Sequence, residues 1–180
     1  MSAPARDEHT WGDAPELYGP RHEFRESLLV DALARLGPLP GGDAVDAGAG
    51  AGSMALRLAR HGFRVTAVDG SDAFVARLGR MLDAAPGGPH RALTGDMHRL
   101  ALPAACADVV VCAEVLEHLD DDVAAAAELA RVMRPGAVLV VSVPAGPRRY
   151  DWTDKWAGHR RRYTQEGLTD LLQGAGLDDV

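Results

Sequence analysis

Two histidines, His118 and His159, are the side chains here best suited to take a proton from a substrate near neutral pH, with Asp151 and Glu117 behind them. A histidine that packs near a strand end, or braces a loop, fits the same positions equally well. A second group is marked by spacing: the run Val45-Asp46-Ala47-Gly48-Ala49-Gly50-Ala51-Gly52. Residues without Cβ let backbone approach an extended ligand and take positive φ, so Gly48, Gly50 and Gly52 suit a turn that holds a cofactor at the start of a helix.

Asp69 stands twenty-one residues after Gly48, at the end of the next apolar run, where a carboxylate accepts the hydroxyls of an adenosine ribose. Dinucleotide sites have that acid too, so Asp69 does not choose the cofactor. Asp46 does. Two residues before the first glycine it would face the pyrophosphate of NAD unfavourably, whereas S-adenosylmethionine presents a sulfonium and an α-ammonium. Ser53 also occupies the third glycine position of a GxGxxG pattern. Both features favour S-adenosylmethionine, with S-adenosylhomocysteine as its product.

These residues need elements to hold them. Apolar spacing from His22 to Leu36 predicts a helix closed by Gly37-Pro38. A strand at Ala44–Ala47, a helix from Ser53 to His61 and a strand at Arg64–Asp69 follow. Ser71 caps a helix carrying Phe74, Val75, Leu78, Met81 and Leu82, which Pro86-Gly87-Gly88-Pro89 stops. A weak strand, Arg91–Thr94, precedes two buried strands, Asp108–Cys112 and Ala137–Val143, separated by an alanine-rich helix at Asp121–Met133 and the turn Arg134-Pro135-Gly136. Residues Ala145–Tyr163 read as a loop, and Thr164 starts a last helix. Alternation of this kind predicts an α/β fold, a Rossmann-like, doubly wound, mainly parallel sheet with helices on both faces.

Composition sets the outer limits. The chain has 180 residues, a usual size for one domain, taken as residues 21–180 behind a mobile arm, residues 1–20. A net charge of -7 argues against a nucleic-acid partner and for a small-molecule acceptor. Two cysteines, Cys106 and Cys112, with no Cys/His cluster at zinc spacing, predict no metal site and no disulfide. No apolar run is long enough to span a membrane or act as a leader, and the expected location is cytoplasmic. The acceptor candidates are Tyr18, Trp152, Trp156, His159 and Tyr163, the last four in a stretch, Arg148–Arg162 and beyond, whose excess of arginine suits either a carboxylate or phosphate on the substrate or a solvated face.

With those residues in place, the chain resembles the class I, Rossmann-like methyltransferases that act on small molecules and natural products. Val45–Gly52, Val65–Asp69, Gly95-Asp96-Met97 and Cys112–Leu119 carry the likeness, with Gly158-His159-Arg160-Arg161-Arg162-Tyr163-Thr164 similar to a GHxRRYT segment of part of that group. The resemblance implies a cofactor site made of Asp46, Ala47, Gly48, Ala49, Gly50, Gly52, Asp69, Gly70, Asp96, Met97, Ala113 and Glu114. In it Asp96 would accept from the adenine amino group, and Ala113 and Glu114 would line the methionine end. Members usually add a final antiparallel pair of strands, so either the sequence is a fragment or the sheet lacks its last hairpin; in the second case the exposed edge of the fifth strand would invite a homo-oligomer. A non-catalytic binding module of the same fold, and a nicotinamide-dependent oxidoreductase, are the alternatives.

Overall fold

Five strands run parallel in one sheet. They are β1 (Asp43–Ala47), β2 (Arg64–Asp69), β3 (Arg91–Thr94), β4 (Ala107–Ala113) and β5 (Met133–Ser142), side by side as β3-β2-β1-β4-β5. The computed structural model describes residues 20–37 and 40–180. The expected arm, with Trp11 and the acceptor candidate Tyr18, lies outside the described residues except Pro20, which begins α1 (Pro20–Leu36).

Alternation along each strand sends neighbouring residues to opposite faces. Ala44, Val65, Ala67, Val109, Val111 and Val140 meet α1, α2 (Ser53–Arg60) and α3 (Asp72–Asp83), where Leu29, Leu33, Leu58, Leu78 and Leu82 are buried. Val45, Ala47, Val68, Val110 and Cys112 meet α4 (Asp122–Val132), with Leu168 and Leu171 of α6 (Gln165–Gly174) packed behind. The sheet is therefore covered on both faces, as doubly wound folds require. Each fully buried leucine contributes about 1.5–3 kcal/mol, which makes these two layers the main source of stability. Among the described residues no helix is long and apolar enough to cross a membrane.

Chain direction in the sheet sets the position of the site. From β1 the chain steps outward to β2 and β3, then returns to the other side of β1 at β4. At such a reversal the loops leaving β1 and β4 part, and a crevice opens beyond the strand ends.

Two local expectations are corrected. The strand expected from Ala137 begins at Met133, and Arg134-Pro135-Gly136 is a bulge inside it: the pairing jumps from Ala107 opposite Met133 to Val109 opposite Val138. Arg134 explains the capture of this segment, since its guanidinium bridges Asp43 at 2.9 Å and Asp108 at 2.6 Å. The expected loop from Ala145 to Tyr163 contains a 3-10 turn, Pro147–Arg149, and a helix, α5 (Trp152–Ala157). Six residues are too few to show helical periodicity. The start signal was present, however: Asp151 accepts from Thr153 N–H at 2.8 Å while Asp154 accepts from Asp151 N–H at 2.9 Å, a reciprocal capping box.

Candidate functional site

The crevice at the carboxyl ends of β1 and β4 has a volume of about 1060 Å³. Single drug-sized ligands fill roughly 300–1,000 Å³, so there is room for a cofactor with a second molecule beside it. Its floor is the glycine turn. The N–H groups of Gly48 and Ala49 both donate to Val68 C=O, at 2.8 and 2.9 Å, and Gly50 N–H donates to Asp69 Oδ2 at 2.8 Å. Asp69 Oδ1 accepts from Ser71 N–H at 2.9 Å, so one carboxylate ties together the ends of β1, β2 and the start of α3. Gly48 has φ +78, and a Cβ there would collide with the Val115 side chain; Gly50, at φ +49, faces open space.

Asp46 lines the crevice from β1 yet is almost completely buried, and its Oδ2 has no hydrogen-bond partner. Burial pushes its carboxyl up to about 7, with the charge of Glu26 adding to the effect and the Ala55 backbone N–H opposing it. A buried acceptor without a partner is costly. A cationic group in the crevice would remove that cost.

Further along, Asp96 is exposed at the rim, accepting from His98 N–H at 2.9 Å and from the His98 ring at 2.7 Å, contacts that hold its carboxyl below the usual range. Met97 is buried beneath it. Ala113 and Glu114 line the wall after β4. Glu114 adopts φ +57, a conformation disfavoured for any residue with a Cβ. Three contacts hold it there: its N–H donates to Ser142 C=O at 2.8 Å, its carboxylate accepts from Ser142 Oγ at 3.0 Å, and Arg25 reaches it at 3.2 Å. Glu114 and His118, four residues apart, do not share an α-helical face. The backbone turns at Glu114, and a 3-10 turn, Leu116–His118, carries the histidine.

Both histidines reach the crevice, and their rings meet edge to face with centroids 4.8 Å apart. Burial, then the neighbouring His159, pushes the His118 imidazole below its ordinary range, with the Gly158 backbone working the other way. His159 Nδ1 donates to Asp154 Oδ1 at 2.8 Å, and Arg162 Nε donates to the same oxygen at 2.7 Å. Glu117 lies behind them, fully buried, its carboxyl pushed up to about 8 by burial and by Glu114.

Of the other expected residues, Gly48, Ala49, Gly50, Asp69, Gly70 and Trp156 line the crevice. Ala47 and Gly52 do not; they shape the turn from behind. Two acceptor candidates lie elsewhere. Trp152 is exposed on α5, and the Tyr163 hydroxyl is buried, donating to Asp122 Oδ2 at 2.7 Å. The arginines of this segment also serve the fold. Arg161 donates to the carbonyls of Leu119 and Asp120, both at 2.9 Å, and pairs with Asp122; Arg160 pairs with Asp120.

Sequence reading missed a wall of the site. His22, Arg25 and Glu26 of α1 all line it, and Glu26, buried beside Leu29, pairs with Arg57 at 2.6 Å and accepts from Ser53 Oγ. The signal was available: Glu26 shares the i, i+3, i+7 stripe of Leu29 and Leu33, while the apolar Phe24, Leu28 and Leu36 of the same helix are exposed.

Comparison with known proteins agrees with this geometry. The sequence model of a family described as methyltransferase domain matches residues 45–141, more than half of the chain. A ubiquinone biosynthesis O-methyltransferase of Hahella chejuensis is 36% identical over 137 residues, covering 74% of this chain. The chain spans only 56% of that relative's length. Among solved structures, the [4+2]-cyclase SpnF superposes with a TM-score of 0.72 at 25% identity, over 92% of this chain and 61% of its own. A SAM-dependent methyltransferase from Aquifex aeolicus does so with a TM-score of 0.70 at 21% identity, over 90% and 85%. The matched segment holds the glycine turn, Asp69, Asp96, Glu114 and His118 within one doubly wound sheet, and by that match this chain belongs to the methyltransferase domain family.

Proposed function

We propose that this chain transfers the methyl group of S-adenosylmethionine to an oxygen of a small hydroxylated acceptor. The observation that carries the reading is Asp46, a buried carboxylate with an unpartnered oxygen at the base of a glycine turn fastened by Asp69. The residues fit the cofactor: open space at Gly50 admits it, Asp46 answers its cation, and Asp69 keeps lone pairs for ribose hydroxyls beside the one that Gly50 uses. Asp96 and Met97 line the same crevice and would meet the adenine, and Ala113 and Glu114 would meet the methionine end.

When bound, the cofactor supplies an electrophilic methyl carbon on a sulfonium leaving group. The protein's own work is to align and dry the reacting groups, which is worth effective molarities on the order of 10⁵ M or more. His118 and His159 line the same crevice, and in the absence of a bound cation either ring would be the group to draw the proton from an acceptor hydroxyl. The O-methyltransferase name of the Hahella relative supports oxygen as the methylated atom.

The test is incubation with methyl-labelled S-adenosylmethionine and phenols, catechols, amines and acidic carbon compounds, with products read by mass spectrometry. Label on oxygen is expected. Label on nitrogen or carbon alone would move the reaction to another acceptor class, and cofactor binding with no transfer to any acceptor would favour the non-catalytic module.

A further inference from the structure

Glu117, His118 and His159 each offer a ligating atom, and these atoms lie within 4.8 Å of one another. Glu117 is fully buried, and neither of its carboxylate oxygens has a hydrogen-bond partner. That is unusual for a carboxyl group sealed in an apolar layer, and a cation between it and the two rings would satisfy it.

The His159 ring is already oriented for ligation. Asp154 is an acceptor only, so His159 Nδ1 must carry the proton it shares with that carboxylate, which leaves Nε2 with its lone pair. Arg162 and the Asp151 N–H in turn hold Asp154 in place. The His118 ring meets the His159 ring edge to face, with centroids 4.8 Å apart. Imidazoles held through their second nitrogen by a carboxylate or a carbonyl are the usual arrangement around protein metal ions.

Two histidines and one glutamate form a three-ligand set that suits first-row divalent cations and leaves positions for a substrate atom. Ligands at ~2.0–2.1 Å on a tetrahedral Zn²⁺ stand about 3.4 Å apart, so atoms spread over as much as 4.8 Å must draw in by about an ångström to close on an ion. The sequence did not announce the site. Glu117 and His118 are neighbours on one turn, while His159 comes from beyond α5, so no zinc-type spacing exists in the chain.

We infer that Glu117, His118 and His159 form a site for a divalent first-row cation on the crevice wall between the 3-10 turn and α5. Binding of the ion stands on its own. Its use rests on the proposed methyl transfer: the cation would lower the pKa of the acceptor hydroxyl, its proton would pass to water, and the histidines would act as ligands.

The test uses the full chain, stripped of metal by chelator and titrated with Co²⁺ while ligand-field absorption is followed. Saturable 1:1 binding is expected, weakened at least tenfold in Glu117→Gln and in His159→Gln. Glu117→Gln keeps the shape of the buried group, and retained circular dichroism and S-adenosylmethionine binding show that each variant is folded. Absence of saturable absorption in the wild type at millimolar Co²⁺ overturns the site, as does unchanged affinity in folded Glu117→Gln. Cofactor titration of the same metal-free protein separates the two readings: lost cofactor binding would count against methyl transfer, and lost Co²⁺ binding against this site alone.

Discussion

Asp69 accepts the backbone N–H of Gly50 at 2.8 Å, so the carboxylate ending β2 fixes the turn that ends β1. The same side chain holds Ser71 N–H through its other oxygen. It therefore shapes the floor of the crevice, which it also lines, before any ligand arrives.

Replacement of Asp69 separates these two duties. Asp69→Ala removes acceptor and brace together and should weaken S-adenosylmethionine by about 1–3 kcal/mol, the scale of leaving buried polar groups unpaired. Calorimetric titration measures the loss, and circular dichroism confirms the fold. Unchanged affinity would remove Asp69 from the site.

Gly48 tests the turn itself. Its φ of +78 and the Val115 side chain both oppose a Cβ, so Gly48→Ala should cost about 1–3 kcal/mol of stability through crowding and strain. Thermal unfolding reads the cost. The double variant Gly48→Ala/Val115→Ala relieves the collision but not the dihedral strain, and should recover only part of the loss. Full stability in the single variant would mean the turn is not built as described.

Asp46 predicts a pH dependence with a definite sign. Its carboxyl titrates near 7 in the fold against an ordinary 3.8, so between those values the unfolded chain releases a proton that the folded chain keeps. Its contribution then makes stability fall as pH rises from about 4 to 7 and stay level above. Asp46→Asn should remove that component, so its melting temperature should exceed the wild type's by more at pH 8 than at pH 4. S-adenosylmethionine favours the ionised carboxylate, and binding at pH 6 should release a proton, seen as a binding heat that depends on the buffer. Parallel pH profiles for the two proteins would exclude this role.

Tyr163 checks the reassignment of the arginine-rich segment. Its buried hydroxyl donates to Asp122, which Arg161 also holds at 2.8 Å. Tyr163→Phe should lower stability by about 1–3 kcal/mol, since it leaves a buried acceptor short of a partner, with cofactor affinity unchanged. A loss of cofactor or acceptor affinity without a loss of stability would return Tyr163 to the crevice.

What the sequence made legible follows from how local each signal is. The glycine turn and the capped start of α3 depend on residues within a turn or two of each other, Asp69 is marked by its fixed offset from the turn, and β1 to β4 by short apolar runs between Gly, Pro and Asp. The hidden features depend on distance. The Arg134 bulge needs Asp43 and Asp108 from two other strands, and the wall from α1 needs Arg25 to meet Glu114. Tyr163 read as an acceptor contact because aromatic type alone does not say which way a ring faces; the carboxylate of Asp122, from another element, decides that. Glu117 went almost unnoticed between Glu114 and His118, because only the folded chain brings His159 beside it.

The central claim is that the crevice at the ends of β1 and β4 binds S-adenosylmethionine. Isothermal titration of the full chain with S-adenosylmethionine, and separately with NAD, tests it most directly. The structure predicts saturable 1:1 binding of S-adenosylmethionine, weakened in Asp69→Ala, and no binding of NAD; failure of the folded chain to bind S-adenosylmethionine at millimolar concentration would contradict it.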